Sequence, residues 1–366
     1  MVSRNLNMTI LFGIIFLLAF KNLKFRFSVP HDAYLSQETA KQVRGLFTIL
    51  IFFSHYVSYF TKHNIGKYDS IYMDIRVHLD QAIVVPYLFY SGYGMTVSFL
   101  KKGRTYIKSV IRYRIPRVFL SMVAAVTLFL ILKIFRGEEI NRHQILMSYI
   151  FWDSLGNSNW YIFGILGEYF IFFIAFLLGK NTSKGSLFSR LTTITVMTCA
   201  FVLWIKSQGK ESWWYNTLIM FPVGCWYAVF AKRIGRAVQQ SHTTYLKTVI
   251  MLSISYCFTF FYRSQGLIWY SLWIIAFMGL VLLITMKFEF NSSVFRFFGS
   301  HVFSTYILQR IPMIILTWIG WMNNMPYLSF WIALLCTCLI AVVFDKGTHV
   351  IFRRTELLPR QATIHK

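Results

Sequence analysis

Eleven apolar runs follow one another along this chain, near residues 8–20, 44–60, 82–100, 118–135, 160–179, 191–205, 214–231, 246–262, 267–286, 301–319 and 328–344. A run approaching 20 apolar residues is as long, when helical, as the hydrocarbon core of a bilayer is thick. Such runs are read as membrane-spanning helices. Composition agrees: 56% of residues are hydrophobic and only 14% charged, against roughly 25% in soluble domains. The expected fold is all-α, a polytopic membrane helix bundle of about 10–11 transmembrane helices. One domain is expected over 1–366: an extra N-terminal helix and cytoplasmic loop at 1–43, core helices over 44–344, and a basic cytoplasmic tail at 345–366. The first run is short for a crossing, and no small-residue cleavage site precedes Lys21, so a retained helix is expected rather than a removed signal peptide.

The formal net charge is +24, which in a soluble protein would point to nucleic acid. Its placement points elsewhere, and no nucleic acid partner is expected. Lys101, Lys102, Arg104, Lys108, Arg112, Arg114 and Arg117 crowd one loop that holds no acid. Short loops of that kind stay in the cytoplasm and attract anionic headgroups or phosphorylated ligands. Fixing that loop inside also puts 21–43, 180–190, 232–245, 287–300 and the tail inside, and each is basic. The opposite loops are sparse or mixed, as 136–159 is with Glu138, Glu139 and Asp153. The chain is therefore expected to be integral to the cell membrane, with its N-terminus outside and its C-terminus cytoplasmic. The five cysteines all fall inside apolar runs and make no zinc spacing. No metal is expected.

Chemistry has few carriers in such a chain. "RGLFTILIFFSHY" sets Arg44 and His55 at the two ends of an otherwise apolar stretch. As a helix, eleven residues turn about three full turns plus 20°, which returns both side chains to one face, about 16 Å apart along the axis. A charge in hydrocarbon is costly, so both are expected to face the bundle interior or a cavity. Each also has a plain reading, Arg44 as an anchor to lipid phosphate and His55 as a hydrogen-bonded interhelical imidazole. "YLFYSGYGM" offers Ser91 and Gly92 beside Tyr93, a close-packing seam or a polar site. Arg112 and Arg114 precede Pro116, either as forks for phosphate at a helix start or as topological anchors. Trp160 stands at an outer interface, and Glu168, two turns into the same helix, either pairs with a cation or stays protonated. "FGSHVFSTYILQRIPM" brings Tyr306, Gln309 and Arg310 ahead of Pro312.

The order of these segments resembles the acyltransferase-3 family of membrane O-acyltransferases, from about Arg44 to Arg310. The resemblance implies that His55 is the catalytic histidine and Arg44 its companion. It implies that Ser91, Gly92 and Tyr93 match a Ser-Gly-aromatic motif, and that Arg112 and Arg114 match a basic motif for the acyl-CoA donor. Trp160, Glu168, Tyr306 and Gln309 would support them. Gln309 departs from the family's pattern, which often has histidine there, and the run before Lys21 is an addition to the usual ten helices.

The activity implied is transfer of an acyl group, acetyl from acetyl-CoA in the first instance, to a hydroxyl of a cell-surface glycan or lipid-linked sugar. No bound cofactor is implied beyond acyl-CoA as co-substrate. Neutral His55 would act as general base or as acyl carrier. Arg44 would hold donor phosphate or stabilise an oxyanion, with the axial separation favouring phosphate. A transporter or flippase for the same glycans competes, since intramembrane charges serve translocation too, and a non-catalytic scaffold is the third reading. Neither an inverted repeat nor paired broken helices are apparent in the sequence.

Overall fold

The computed structural model describes residues 8–26, 32–59, 69–177, 184–355 and 357. Phe60, Lys180 and the tail beyond Leu357 were part of the expected spans and basic segments and lie outside the described residues. The described chain is almost wholly helical. In order come α1 (Met8–Phe20), α2 (Gln37–Val57), α3 (Ser70–Leu79), α4 (Val85–Lys102), α5 (Arg104–Ser109) and α6 (Ile115–Phe135). Then follow α7 (Arg142–Tyr149), α8 (Asn159–Leu177), α9 (Lys184–Ser207), α10 (Met220–Gln239), α11 (His242–Tyr262) and α12 (Leu267–Lys287). The last third is α13 (Ser293–Ser300), α14 (Val302–Leu308), α15 (Arg310–Trp318), α16 (Trp321–Asn324) and α17 (Pro326–Arg354). Two short strands, β1 (Lys24–Phe25) and β2 (Phe288–Glu289), pair antiparallel.

Among the described residues, seven helices are long and apolar enough to cross a membrane. Where they are described, the eleven apolar runs of the sequence fall mainly on helices, with 215–219 a turn, but four miss that standard for identifiable reasons. The runs at 8–20 and 301–319 give apolar helices that are too short, Met8–Leu17 and Val302–Trp318. The helices α2 and α10 have the length but carry charge: Glu38, Lys41 and Arg44 on one, Lys232, Arg233 and Arg236 on the other. Such side chains belong on helices that line an interior or end at an interface. By contrast α11, with Ile254, Phe258 and Phe261 exposed, presents its apolar surface outward as a lipid-facing helix does.

Helices in lipid gain little from the hydrophobic effect against one another, so close packing has to hold them. Two crossings achieve this with reciprocal glycines. A Cβ on Gly92 of α4 would overlap the Phe221 carbonyl of α10, and one on Gly224 of α10 would overlap the Phe89 carbonyl of α4. The same holds between α2 and α13, where Gly45 faces the Phe295 carbonyl and Gly299 faces that of Lys41. Ser36 caps α2 by accepting from the Thr39 amide at 3.1 Å, which starts the helix well before the apolar run begins. The added α1 is fixed by Asp69, whose carboxylate accepts from the Met8 and Thr9 amides at 2.7 and 3.0 Å. Phe12 of α1 then packs edge-on against Phe53 of α2.

Prolines mark the irregular turns. Pro116 cannot donate to the carbonyl four residues back, and the chain before it, Val110–Arg114, opens into a π turn whose last bond runs from the Ile115 amide to the Val110 carbonyl. Pro312 has the same deficit, and the helix is interrupted just ahead of it at Gln309, between α14 and α15.

Candidate active site

The helix α2 carries Arg44 and His55, and the structure places them in the walls of two different cavities. One, of about 240 Å³, is lined by Arg44, Tyr87, Ser91, Arg114, Tyr161 and Tyr169. The other, of about 720 Å³, is lined by His55, Arg76, Gln81, Trp160, Trp213 and Arg310, among others. Ile51, Val84 and Tyr306 belong to both linings. These three side chains are the partition between a cationic chamber at one end of α2 and a histidine chamber at the other.

The Arg44 chamber is built from groups that already have partners. Arg44 donates through Nε to the Ala40 carbonyl at 3.1 Å. Its own carbonyl lies 2.8 Å from the Thr48 hydroxyl and 3.0 Å from that of Tyr87, which pins α2 to α4. Arg114 donates to the Tyr169 hydroxyl at 2.9 Å and to that of Tyr106 at 3.4 Å, with its plane 4.5 Å over the Tyr169 ring. The Ser91 hydroxyl lies 3.5 Å from the Tyr169 oxygen. Among the described residues, no carboxylate lines this chamber. Two guanidinium groups, Arg114 held by tyrosine hydroxyls and Arg44 by the Ala40 carbonyl, with donor capacity left over, make a site for an anion.

Of the donor-motif residues, the structure brings Arg114 and Ser91 to Arg44 and sends the others elsewhere. Arg112 is exposed and lies over its neighbour Tyr113 at 5.4 Å. Two residues apart on a helical turn means nearly opposite directions, so Arg112 and Arg114 cannot share a ligand face. Gly92 sits in the α4–α10 crossing. Tyr93 lines a third cavity, of about 750 Å³, together with Tyr34, Lys232 and Arg236.

The His55 chamber has the opposite character. The Nδ1 of His55 is buried and has no hydrogen-bond partner among the described residues, as are Gln81 Oε1 and Arg310 Nε. The Tyr306 ring stands 6.2 Å from the imidazole, and its hydroxyl is likewise buried without a partner. Arg76 reaches Ser54 Oγ at 3.4 Å. Arg263 donates to the Phe260 carbonyl at 2.6 Å and lies 3.6 Å over the Phe260 ring. Trp160 joins this lining, at the start of α8. Buried polar atoms left open in this way are rare in folded proteins and gather where a ligand completes them.

Glu168 and Gln309 stand outside both linings. Glu168 is wholly buried and accepts from Thr198 Oγ1 of α9 at 2.8 Å, leaving its other oxygen open. Gln309 is wholly buried and donates to the Tyr306 carbonyl at 3.1 Å, which steadies the end of α14 at the partition. Sequence reasoning missed Arg76, Gln81 and Arg263. A signal existed for the two arginines: each lies beside an apolar run on the side assigned to the exterior, where basic residues are scarce and need a reason.

The comparisons with known proteins agree with the resemblance. The acyltransferase-3 family model, described as an acyltransferase domain, matches residues 41–346. No curated protein and no solved structure matches the chain. The matched span takes in α2, both chambers and the partition, and leaves α1 outside it. This chain therefore belongs to the acyltransferase-3 family and is a membrane acyltransferase.

Proposed function

We propose that the protein transfers an acetyl group from cytoplasmic acetyl-CoA to a hydroxyl of a cell-surface glycan or lipid-linked sugar. The observation that carries this reading is the partition: a cationic chamber and a histidine chamber meet through Ile51, Val84 and Tyr306. The donor's phosphates would lie with Arg44 and Arg114, where guanidinium forks compensate their charge. Its thioester arm would pass Ile51 and Tyr306 to bring the acyl carbon to His55. The acceptor would enter from the other side, its sugar ring resting on the flat faces of Trp160 and Trp213.

Neutral His55 accepts the hydroxyl proton as the acceptor oxygen attacks the thioester carbonyl. The tetrahedral intermediate collapses with loss of the C–S bond, an ester forms, and the departing thiolate takes the proton back from the imidazolium. Arg44 stands about 16 Å along α2 from His55, which suits phosphate binding and not the oxyanion. The unpartnered Tyr306 hydroxyl at the partition is better placed for the oxyanion. In this topology the N-terminus is outside, the Arg44 chamber faces the cytoplasm and the His55 chamber faces the exterior.

Purified protein given radiolabelled acetyl-CoA and the glycans of its own membrane tests the reading. Label is expected in the glycan with wild type and not with His55→Ala. Glycan translocation without transfer of label, unchanged by the substitution, would replace it with a transport function.

A further inference from the structure

We infer that the acceptor is anionic, carrying a phosphate or carboxylate group close to the hydroxyl that is acylated, and that Arg76 and Arg310 recognise it. The inference rests on the reading of the His55 chamber as the acceptor site. Three guanidinium groups line that chamber: Arg76 from α3, Arg263 from the turn between α11 and α12, and Arg310 from the start of α15. Arg76 and Arg310 share that lining with His55. The lining holds one carboxylate, Asp80, and its Oδ2 already accepts from the Tyr270 hydroxyl at 3.0 Å.

No ion pair involves any of these arginines among the described residues. The described ion pairs engage other cations: Arg26, Lys41, Lys133, Arg136, Arg296 and His301. Arg263 is tied to Phe260 by a hydrogen bond and a ring contact. Arg310 meets the Tyr59 hydroxyl but keeps a buried Nε with no partner, and Arg76 has a long contact to Ser54. A partly enclosed chamber with this surplus of half-buried cationic groups favours an anionic occupant over a purely neutral one. An anion bound between Arg76 and Arg310 compensates them and sets the adjacent sugar hydroxyl against His55, with the ring on Trp160 and Trp213.

The test compares three small acceptors of one ring type: methyl glucoside, methyl glucuronide and glucose 1-phosphate. Transfer from radiolabelled acetyl-CoA is read as kcat/KM for each. One or both anionic probes are expected to exceed the neutral one by at least about tenfold, as a charge-assisted bond allows, and the better of the two identifies carboxylate or phosphate as the group read. Arg310→Gln and Arg76→Gln should collapse that ratio, while Arg310→Lys, which keeps the charge, should retain it. Equal use of neutral and anionic probes by wild type would overturn the inference, as would glutamine variants that slow all three alike.

Binding of the same probes to wild type by titration calorimetry separates this inference from the catalytic reading. An anionic preference that Arg310→Gln removes supports the charged site even if no transfer is seen. No preference in binding overturns it even if transfer occurs.

Discussion

The two chambers on α2 differ more in how their polar groups are spent than in size. At the Arg44 end, Arg114 is held by two tyrosine hydroxyls and Arg44 by its own helix turn and the Thr48–Tyr87 pair. At the His55 end, the imidazole nitrogen, Gln81 Oε1 and Arg310 Nε are buried with nothing bonded to them. A site with satisfied groups is preorganised and binds a ligand of fixed shape with little reordering. A site with open groups relies on its ligand to complete them, and each open group disfavours a ligand that cannot. The contrast fits the proposed reaction, in which a donor of fixed shape would occupy the first chamber and the acceptor the second.

The comparison can be broken most decisively at the histidine. His55→Ala should lower transfer by about 10³-fold, within the usual range for a general base, with the elution profile of the purified protein unchanged. Turnover close to wild type would leave the histidine chamber without a catalytic role. Next in size is Arg114→Ala, which should raise KM for acetyl-CoA by about 10–100-fold through loss of charge-assisted bonds. The exposed Arg112→Ala should change it by no more than about twofold. Equal effects of the two would mean that the basic motif acts as a unit and not through the chamber.

Ile51→Trp tests the partition itself. The larger ring should cut kcat by about tenfold or more by obstructing the passage, and it should cost about 1–3 kcal/mol of stability through overpacking. Acetyl-CoA binding at the Arg44 end should persist. Smallest is Trp213→Ala, expected to raise the acceptor KM by about twofold to tenfold, the loss of one aromatic contact, with the KM for acetyl-CoA unmoved.

Much of this molecule was legible before the structure. That Arg44 and His55 lie on one helix was legible in their apolar run, whereas several basic residues assigned to loops, Lys41, Arg117, Arg190, Lys232, Arg233 and Arg236, lie inside helices. What could not be read was which residues meet across the bundle. Arg76, Arg263 and Arg310 lie far apart in sequence, and nothing local to any of them announces a common chamber. The consecutive residues Ser91, Gly92 and Tyr93 look like one motif, yet about 100° of rotation per residue sends them to a chamber, a helix crossing and a different cavity. The interruption at Gln309, ahead of Pro312, is one residue in helical backbone conformation, and the apolar helix Val302–Trp318 runs through it as the expected span did. A proline's effect on hydrogen bonding is local; whether the helix bends or divides is decided by the neighbours packed on it.

The central claim is that one acyl group passes from the cationic chamber to the imidazole through the gap bounded by Ile51, Val84 and Tyr306. An electron cryo-microscopy structure with a non-hydrolysable acetyl-CoA analogue tests it directly. The account predicts phosphates bonded to Arg44 and Arg114, the pantetheine arm threading that gap, and the acyl carbon in contact with His55. Phosphates on the Arg76 and Arg310 side, or an acyl end that never crosses the gap, would contradict it.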